Sequence, residues 1–230
     1  MLFRVLGPLE VRHVDGRAAD VPAGVARRVL SALLVRPNTW VGVDSLAEAV
    51  WPDRDVASPA DVLWECVHRL RRLTPLYDGT SARIDSQRGK HRLNIGEGEL
   101  DSVVFEQLVD DGRAVLDADP HVAARCFRAA AGLWRGTPFT QLRTYHSRFE
   151  AARLARLRWE ALDELVDALE LLGEVADAVV LLQSLLVEEP TRERTWLRLV
   201  EVLTRADRPV EAEAAFRKAV RVAGTALSPA

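Results

Sequence analysis

At 230 residues, with 48% hydrophobic and 28% charged residues, the chain has the length for two ordinary domains and the balance of a folded globular protein, not a disordered one. No apolar run reaches the roughly 18 residues a membrane span needs, and Met1 to Pro8 is too short an apolar stretch for a signal peptide, so a cytoplasmic protein without membrane contact is expected. The formal charge of −3 argues against binding polyanions with the whole surface.

The first stretch reads as strands. Leu9-Glu10-Val11-Arg12 alternates apolar and polar, and Asp15-Gly16 is a tight-turn signal. Ala26 to Leu34 reads as a helix with Val29, Leu30, Leu33 and Leu34 on one apolar face behind Arg27 and Arg28, broken by Pro37-Asn38. After Trp40-Val41, Asp44 is the expected N-cap of a helix carrying Leu46, Ala49 and Val50, which Trp51-Pro52 ends. Ser58-Pro59-Ala60-Asp61 starts a third helix with a capping serine, proline at the first position and a carboxylate three residues on. This helix stops before Pro75. Its expected buried face is Leu63, Val67 and Leu70, flanked by Val62, Cys66 and Leu73; its outer face is Asp61, Glu65, His68, Arg69 and Arg72, with Trp64 beside them.

Ala82 to Asp85 and His91 to Ile95 then look like short strands around Gln87-Arg88-Gly89-Lys90. Strands, three helices and a basic hairpin are the order of a winged helix-turn-helix. Gly96-Glu97-Gly98-Glu99 is the natural boundary, dividing the chain into residues 1–97 and 98–230. The charges divide there too: 14 Lys+Arg against 12 Asp+Glu before it, 17 against 22 after it. Residues 83–92 are distinctly basic, with Arg83, Arg88, Lys90 and Arg92 against Asp85. That asymmetry suits a nucleic-acid module joined to something else.

From Leu100 to Ala219 the pattern is helical throughout, with an internal repeat. Leu162, Leu165, Leu169, Gly173, Ala178, Leu182 and Leu185 recur 34 residues later as Trp196, Leu199, Leu203, Asp207, Ala212, Phe216 and Ala219. A partial earlier copy at Ala123, Phe127 and Ala130 precedes an insertion around Trp134 to Arg148. This period, with small residues where helices cross, is the tetratricopeptide signature, and such helix pairs present a surface. The expected fold is therefore mainly α: an N-terminal winged helix-turn-helix (α+β), then an all-α tetratricopeptide-like repeat.

No catalytic constellation emerges. There is no glycine-rich loop ending in Lys-Ser or Lys-Thr to cradle phosphates. His68 and Cys66 fall on different sides of a helix, and His121 and Cys126 lack further ligands, so no metal or other cofactor is expected. Cys66 and Cys126 read as reduced thiols, and Glu188-Glu189 as solvated helix-end charges. The Arg69, Arg71 and Arg72 cluster can complement a helix dipole, but a basic hairpin follows at the spacing of a wing.

These residues resemble the Streptomyces antibiotic regulatory protein family of bacterial transcriptional activators, in which an OmpR-like winged helix precedes a helical bacterial transcriptional activation domain. The likeness runs nearly end to end. Phe3-Arg4-Val5-Leu6-Gly7-Pro8-Leu9-Glu10-Val11 resembles the opening strands, and Asn38 to Leu46 with Trp51 the second-helix block. Val67, Arg69, Leu70, Arg71 and Arg72 fall on the recognition-helix pattern. Leu133-Trp134-Arg135-Gly136, Arg192-Glu193-Arg194 with Trp196, Leu199 and Leu203, and Arg208 with Glu211-Ala212 and Ala215-Phe216 are close to signatures of the helical part. The departures are Asp61, Trp64 and Glu65 where small, polar or basic residues are usual. His91 stands where tyrosine is common and Lys90 where glycine is common, and a lysine near Val25 is missing.

The resemblance implies a sequence-specific activator, not an enzyme, that binds direct repeats in promoter DNA, head to tail as a homodimer, and recruits RNA polymerase holoenzyme. It implies a pathway-specific regulator of secondary metabolite (antibiotic) biosynthesis, and a small member without the ATPase and sensor domains that larger relatives append. His68, Arg69, Arg71 and Arg72 would serve the third helix, and Arg88, Lys90 and Arg92 the wing. Glu65 is expected to temper affinity for phosphate. The alternative is a protein-interaction regulator whose winged helix has lost DNA affinity.

Overall fold

A computed structural model describes residues 2–52, 56–74, 76–77 and 79–226. Among the described residues the protein is mainly helical with two small antiparallel sheets. It forms two compact units, Met1–Leu108 with Ala129–Trp159, and Val109–Arg128 with Glu160–Ala230.

In the first unit, β1 (Phe3–Arg4) pairs antiparallel with β2 (Glu10–Val11), and Arg12 bridges to Ala18 across the turn at Asp15-Gly16. Three helices follow: α1 (Val25–Val35), α2 (Val43–Val50) and α3 (Pro59–Leu73). The apolar spacing in each buries one stripe, so Leu30, Leu33, Leu46, Leu63 and Leu70 are sealed from solvent together with Phe3 and Leu6. A second sheet has the order β3-β5-β4, with β3 (Val41–Gly42), β4 (Ile84–Gln87) and β5 (Lys90–Leu93).

Several local expectations shift. Asp44 lies inside the first turn of α2, where Gly42 holds the N-cap position, so its carboxylate acts on the helix dipole only. Ser58 does cap α3 positionally, with Pro59 first in the helix, but its side chain makes no capping hydrogen bond. Val62 is exposed, because the stripe of Leu63, Cys66, Val67 and Leu70 already fills the inner face. The hairpin strands sit nearer the turn than expected. The expected stop at Pro75 lies outside the described residues, and α3 ends at Leu73.

Helices continue as α4 (Asp101–Val115), α5 (Pro120–Ala131), α6 (Tyr145–Leu171), α7 (Val175–Glu188), α8 (Glu193–Arg205) and α9 (Pro209–Ala226). The expected unbroken helical pattern fails between α5 and α6. Residues 132–144 are not helical, since Gly132, Gly136 and Pro138 stop a helix there and Phe139 takes a φ of 56°.

In the second unit, the 34-residue period appears as repeated backbone geometry. Gly173 and Asp207 both adopt positive φ, 73° and 55°, just after a helix. Each is followed by the same closing bond: Glu174 N–H donates to the Leu169 carbonyl (2.9 Å) and Arg208 N–H to the Leu203 carbonyl (3.0 Å). Leu165, Leu169, Ala178, Leu182 and Leu185 are buried, as are Leu199, Leu203 and Ala212. Phe216 departs from its counterpart Leu182. It is 51% exposed, and Ala215 takes the inner position.

Gly112 marks a close approach of α4 to α5. A Cβ there would stand 2.7 Å from the ring of Phe127, which has no exposed surface and no room to yield. Gly112→Ala is therefore expected to destabilise the protein by about 1–3 kcal/mol. Urea unfolding checks this, and an unchanged midpoint would contradict the packing.

Candidate nucleic-acid interface

The outer face of α3 carries Asp61, Trp64, Glu65, His68, Arg69 and Arg72, all exposed. Three of the expected contact residues, His68, Arg69 and Arg72, thus share one solvent-facing surface. Arg71 does not. It is half-buried on the flank of the helix, where its Nε donates to the Ile84 carbonyl and an Nη to Ser86 Oγ, both at 2.7 Å.

That bond continues. Ser86 Oγ lies 2.7 Å from Nδ1 of buried His91, across the β4–β5 pair in which Ser86 faces His91. The Ser86 hydroxyl accepts from Arg71 and either donates to an unprotonated Nδ1 or accepts from Nδ1–H, so the contact suits both neutral tautomers of the ring. Burial, and secondarily the Arg71 charge, hold the His91 pKa below its usual value. The Arg71–Ser86–His91 chain latches the hairpin to α3. Sequence reasoning missed the latch, although alternation along β5 puts His91 on the same face as buried Leu93.

A His91 pKa lowered by folding means that protonation favours the unfolded chain. The contribution is complete above the unfolded value of 6.5 and lost as pH falls below it. The melting midpoint should therefore drop between pH 7.5 and 5.5, and it should drop less in His91→Gln, which cannot titrate. Parallel pH profiles for the two proteins would contradict the neutral-ring assignment.

The hairpin tip is Arg88-Gly89. Both have positive φ, 47° and 71°, as a two-residue type I′ turn demands, and Gln87 pairs with Lys90 across it. This turn holds Arg88 and Lys90 out in solvent. A third strand steadies it: β3 pairs with β5, and Val43 N–H donates to the Gly89 carbonyl at 3.0 Å. Arg92 is less free. It is half-buried, paired with Asp85 at 2.8 Å, with its guanidinium 4.7 Å from the Trp40 ring centroid. Hydrogen bonds from Asn94 and Arg92 hold the Asp85 carboxyl below its usual range.

Arg83, counted in the basic stretch, contributes nothing to this surface. It is 1% exposed and paired with Glu99. It also donates to the carbonyls of Asn94 (3.1 Å) and Leu76 (2.7 Å) and stacks near Phe3 and Tyr77. The basic surface thus consists of Arg69, Arg72, Arg88 and Lys90, joined by His68. Among the described residues no cluster of three or more metal-ligating side chains exists, and no helix is long and apolar enough to cross a membrane.

The sequence and structure can be set against known proteins. Residues 100–228 match the family model described as bacterial transcriptional activator domain. The chain is 28% identical over 221 residues to the transcriptional regulator RedD of Streptomyces coelicolor, covering 94% of this chain and 63% of that protein. It is 28% identical over 223 residues to the transcriptional regulatory protein EmbR of Mycobacterium tuberculosis, covering 94% of this chain and 56% of EmbR. Among solved structures it is similar to M. tuberculosis EmbR in complex with a low-affinity phosphopeptide. The TM-score is 0.83 and the identity 26%, over 94% of this chain and 58% of that one. The chain thus spans somewhat under two thirds of the length of these relatives. It belongs to the bacterial transcriptional activator domain family, and the relatives it resembles are transcriptional regulators.

Proposed function

We propose that the chain is a sequence-specific transcriptional activator of double-stranded promoter DNA. In this reading residues 1–97 are a winged helix-turn-helix that lays α3 in the major groove and the β4–β5 hairpin on the adjacent backbone. Residues 98–230 are a tetratricopeptide-like activation domain that engages RNA polymerase holoenzyme or a neighbouring protomer. Protomers bind tandem repeats head to tail, by a heterologous contact between one copy and the next. The protein acts in the cytoplasm, as a pathway-specific regulator of secondary metabolite biosynthesis.

One observation carries the DNA-binding reading. His68, Arg69 and Arg72 project from one face of α3, and Arg88 and Lys90 from a rigid turn latched to that helix through Arg71. Cations held at fixed spacing on two elements suit the regular array of phosphates flanking a groove. Arg71 and Arg92 would act in this reading by positioning the helix and the hairpin, since both guanidiniums are engaged within the fold.

Lys90 supplies the test. It is exposed beside the turn and supports no buried group. Lys90→Ala is expected to weaken binding to every duplex about equally and to lower the slope of log affinity against log salt by about one unit. Fluorescence anisotropy across a salt series measures both. A loss confined to one duplex sequence, with the slope intact, would make Lys90 a base reader. Affinity without salt dependence would favour the protein-interaction reading, for which the acidic Asp61 and Glu65 beside Trp64 speak.

A further inference from the structure

Trp64 is 64% exposed on the outer face of α3, and its indole lies stacked on the imidazole of His68, with centroids 5.9 Å and planes 9° apart. The core of the first unit is complete without it. Leu63, Val67 and Leu70 are sealed on the opposite side of the helix, so packing does not account for a tryptophan here. A flat aromatic surface two rings deep stands in solvent instead.

Its neighbours restrict what can cover it. Asp61 and Glu65 lie within one helical turn of Trp64 and form no ion pair among the described residues, so the N-terminal part of the outer face is acidic and disfavours phosphate. Arg69, Arg72, Arg88 and Lys90, which attract phosphate, lie toward the other end of α3 and at the hairpin tip. A duplex held by those cations presents base edges, not phosphates, to the Trp64 end. In the major groove the apolar feature among base edges is the thymine 5-methyl group, and the neighbouring amino groups of adenine and cytosine are donors suited to carboxylates.

We propose that the Trp64–His68 stack is the sequence-discriminating part of α3 and packs against thymine 5-methyl groups in the major groove. The proposal rests on the DNA-binding reading above. The contact is apolar and adds no charge, so it gives discrimination without salt dependence.

The full chain is used to enrich duplexes from a random pool, and the enriched duplexes are remade with deoxyuridine in place of thymine. The native protein is expected to bind the uracil form about fourfold more weakly for each methyl buried. Trp64→Ala should bind the thymine form more weakly by at least that factor and no longer distinguish the two. Its affinity for a poly(dG)·poly(dC) duplex and its salt slope should be unchanged. Trp64→Phe should keep part of the thymine preference. An undiminished thymine preference in Trp64→Ala, equal losses on all duplexes, or equal binding of the two forms by the native protein would overturn the proposal while leaving DNA binding intact. Failure of the native protein to enrich any duplex would overturn both readings.

Discussion

Arg83→Leu is expected to lower stability by about 3–5 kcal/mol, a drop of about 6–20 °C in melting midpoint for a chain of this size. The side chain is 1% exposed, and removing it strands the Glu99 carboxylate and the carbonyls of Leu76 and Asn94, which accept its hydrogen bonds. Breaking one side of a largely buried ion pair costs more than deleting both, because the Glu99 carboxylate, 22% exposed, loses its cation and keeps the Gly96 N–H. Arg83→Leu combined with Glu99→Leu should therefore recover part of the loss. Thermal and urea unfolding of the two variants measure this. In any duplex-binding assay Arg83→Leu should leave the salt slope unchanged, because the guanidinium faces inward. A stability loss under about 1 kcal/mol would show that Arg83 is solvated after all.

Gly7→Ala is expected to cost about 3 kcal/mol or more. Gly7 has a φ of 138°, and a Cβ there would stand 2.9 Å from Arg135 Cβ and 3.0 Å from the backbone at Arg135 and Gly136. The strain and the backbone clash add, and neither is relieved by turning a side chain. The approach is close because the two segments are bonded. Arg135 N–H donates to the Leu6 carbonyl at 2.8 Å, and its guanidinium reaches the Pro8 carbonyl (3.0 Å) and Glu10 (2.7 Å). Asp101, fully buried, accepts the backbone N–H groups of Val5 (2.7 Å) and Leu6 (3.1 Å). Burial raises the Asp101 pKa, and those two bonds oppose the rise. A melting midpoint for Gly7→Ala within a degree or two of the native protein would contradict this arrangement.

These interactions also explain one family-like stretch and one compositional break. Leu133-Trp134-Arg135-Gly136 serves to hold the opening strands: Gly136 tolerates the approach of Gly7, and Arg135 ties β2 through Glu10. Gly96 to Glu99, which reads as a boundary from composition, supplies Glu99 as the partner of Arg83, and Glu99 also accepts the Gly96 N–H at 2.8 Å. In the candidate interface, helical spacing alone placed His68, Arg69 and Arg72 on one exposed face, and Arg88-Gly89 announced the turn that presents Arg88 and Lys90.

What the chain determines by itself is local. The helix stripes, the turn at Arg88-Gly89 and the 34-residue recurrence that ends in matching positive φ values at Gly173 and Asp207 depend on residues two to five positions apart, and their spacing is written in order along the sequence. Which arginine is a surface cation and which a buried anchor is decided elsewhere. Arg69 and Arg72 stay in solvent, Arg71 latches a hairpin, and Arg83 is sealed in the first unit. The two anchored outcomes turn on acceptors from 7 to 16 residues away, Ile84 and Ser86 for Arg71, and Leu76, Asn94 and Glu99 for Arg83. Desolvating a guanidinium is favourable only where such acceptors converge on it, and only the tertiary structure brings them there.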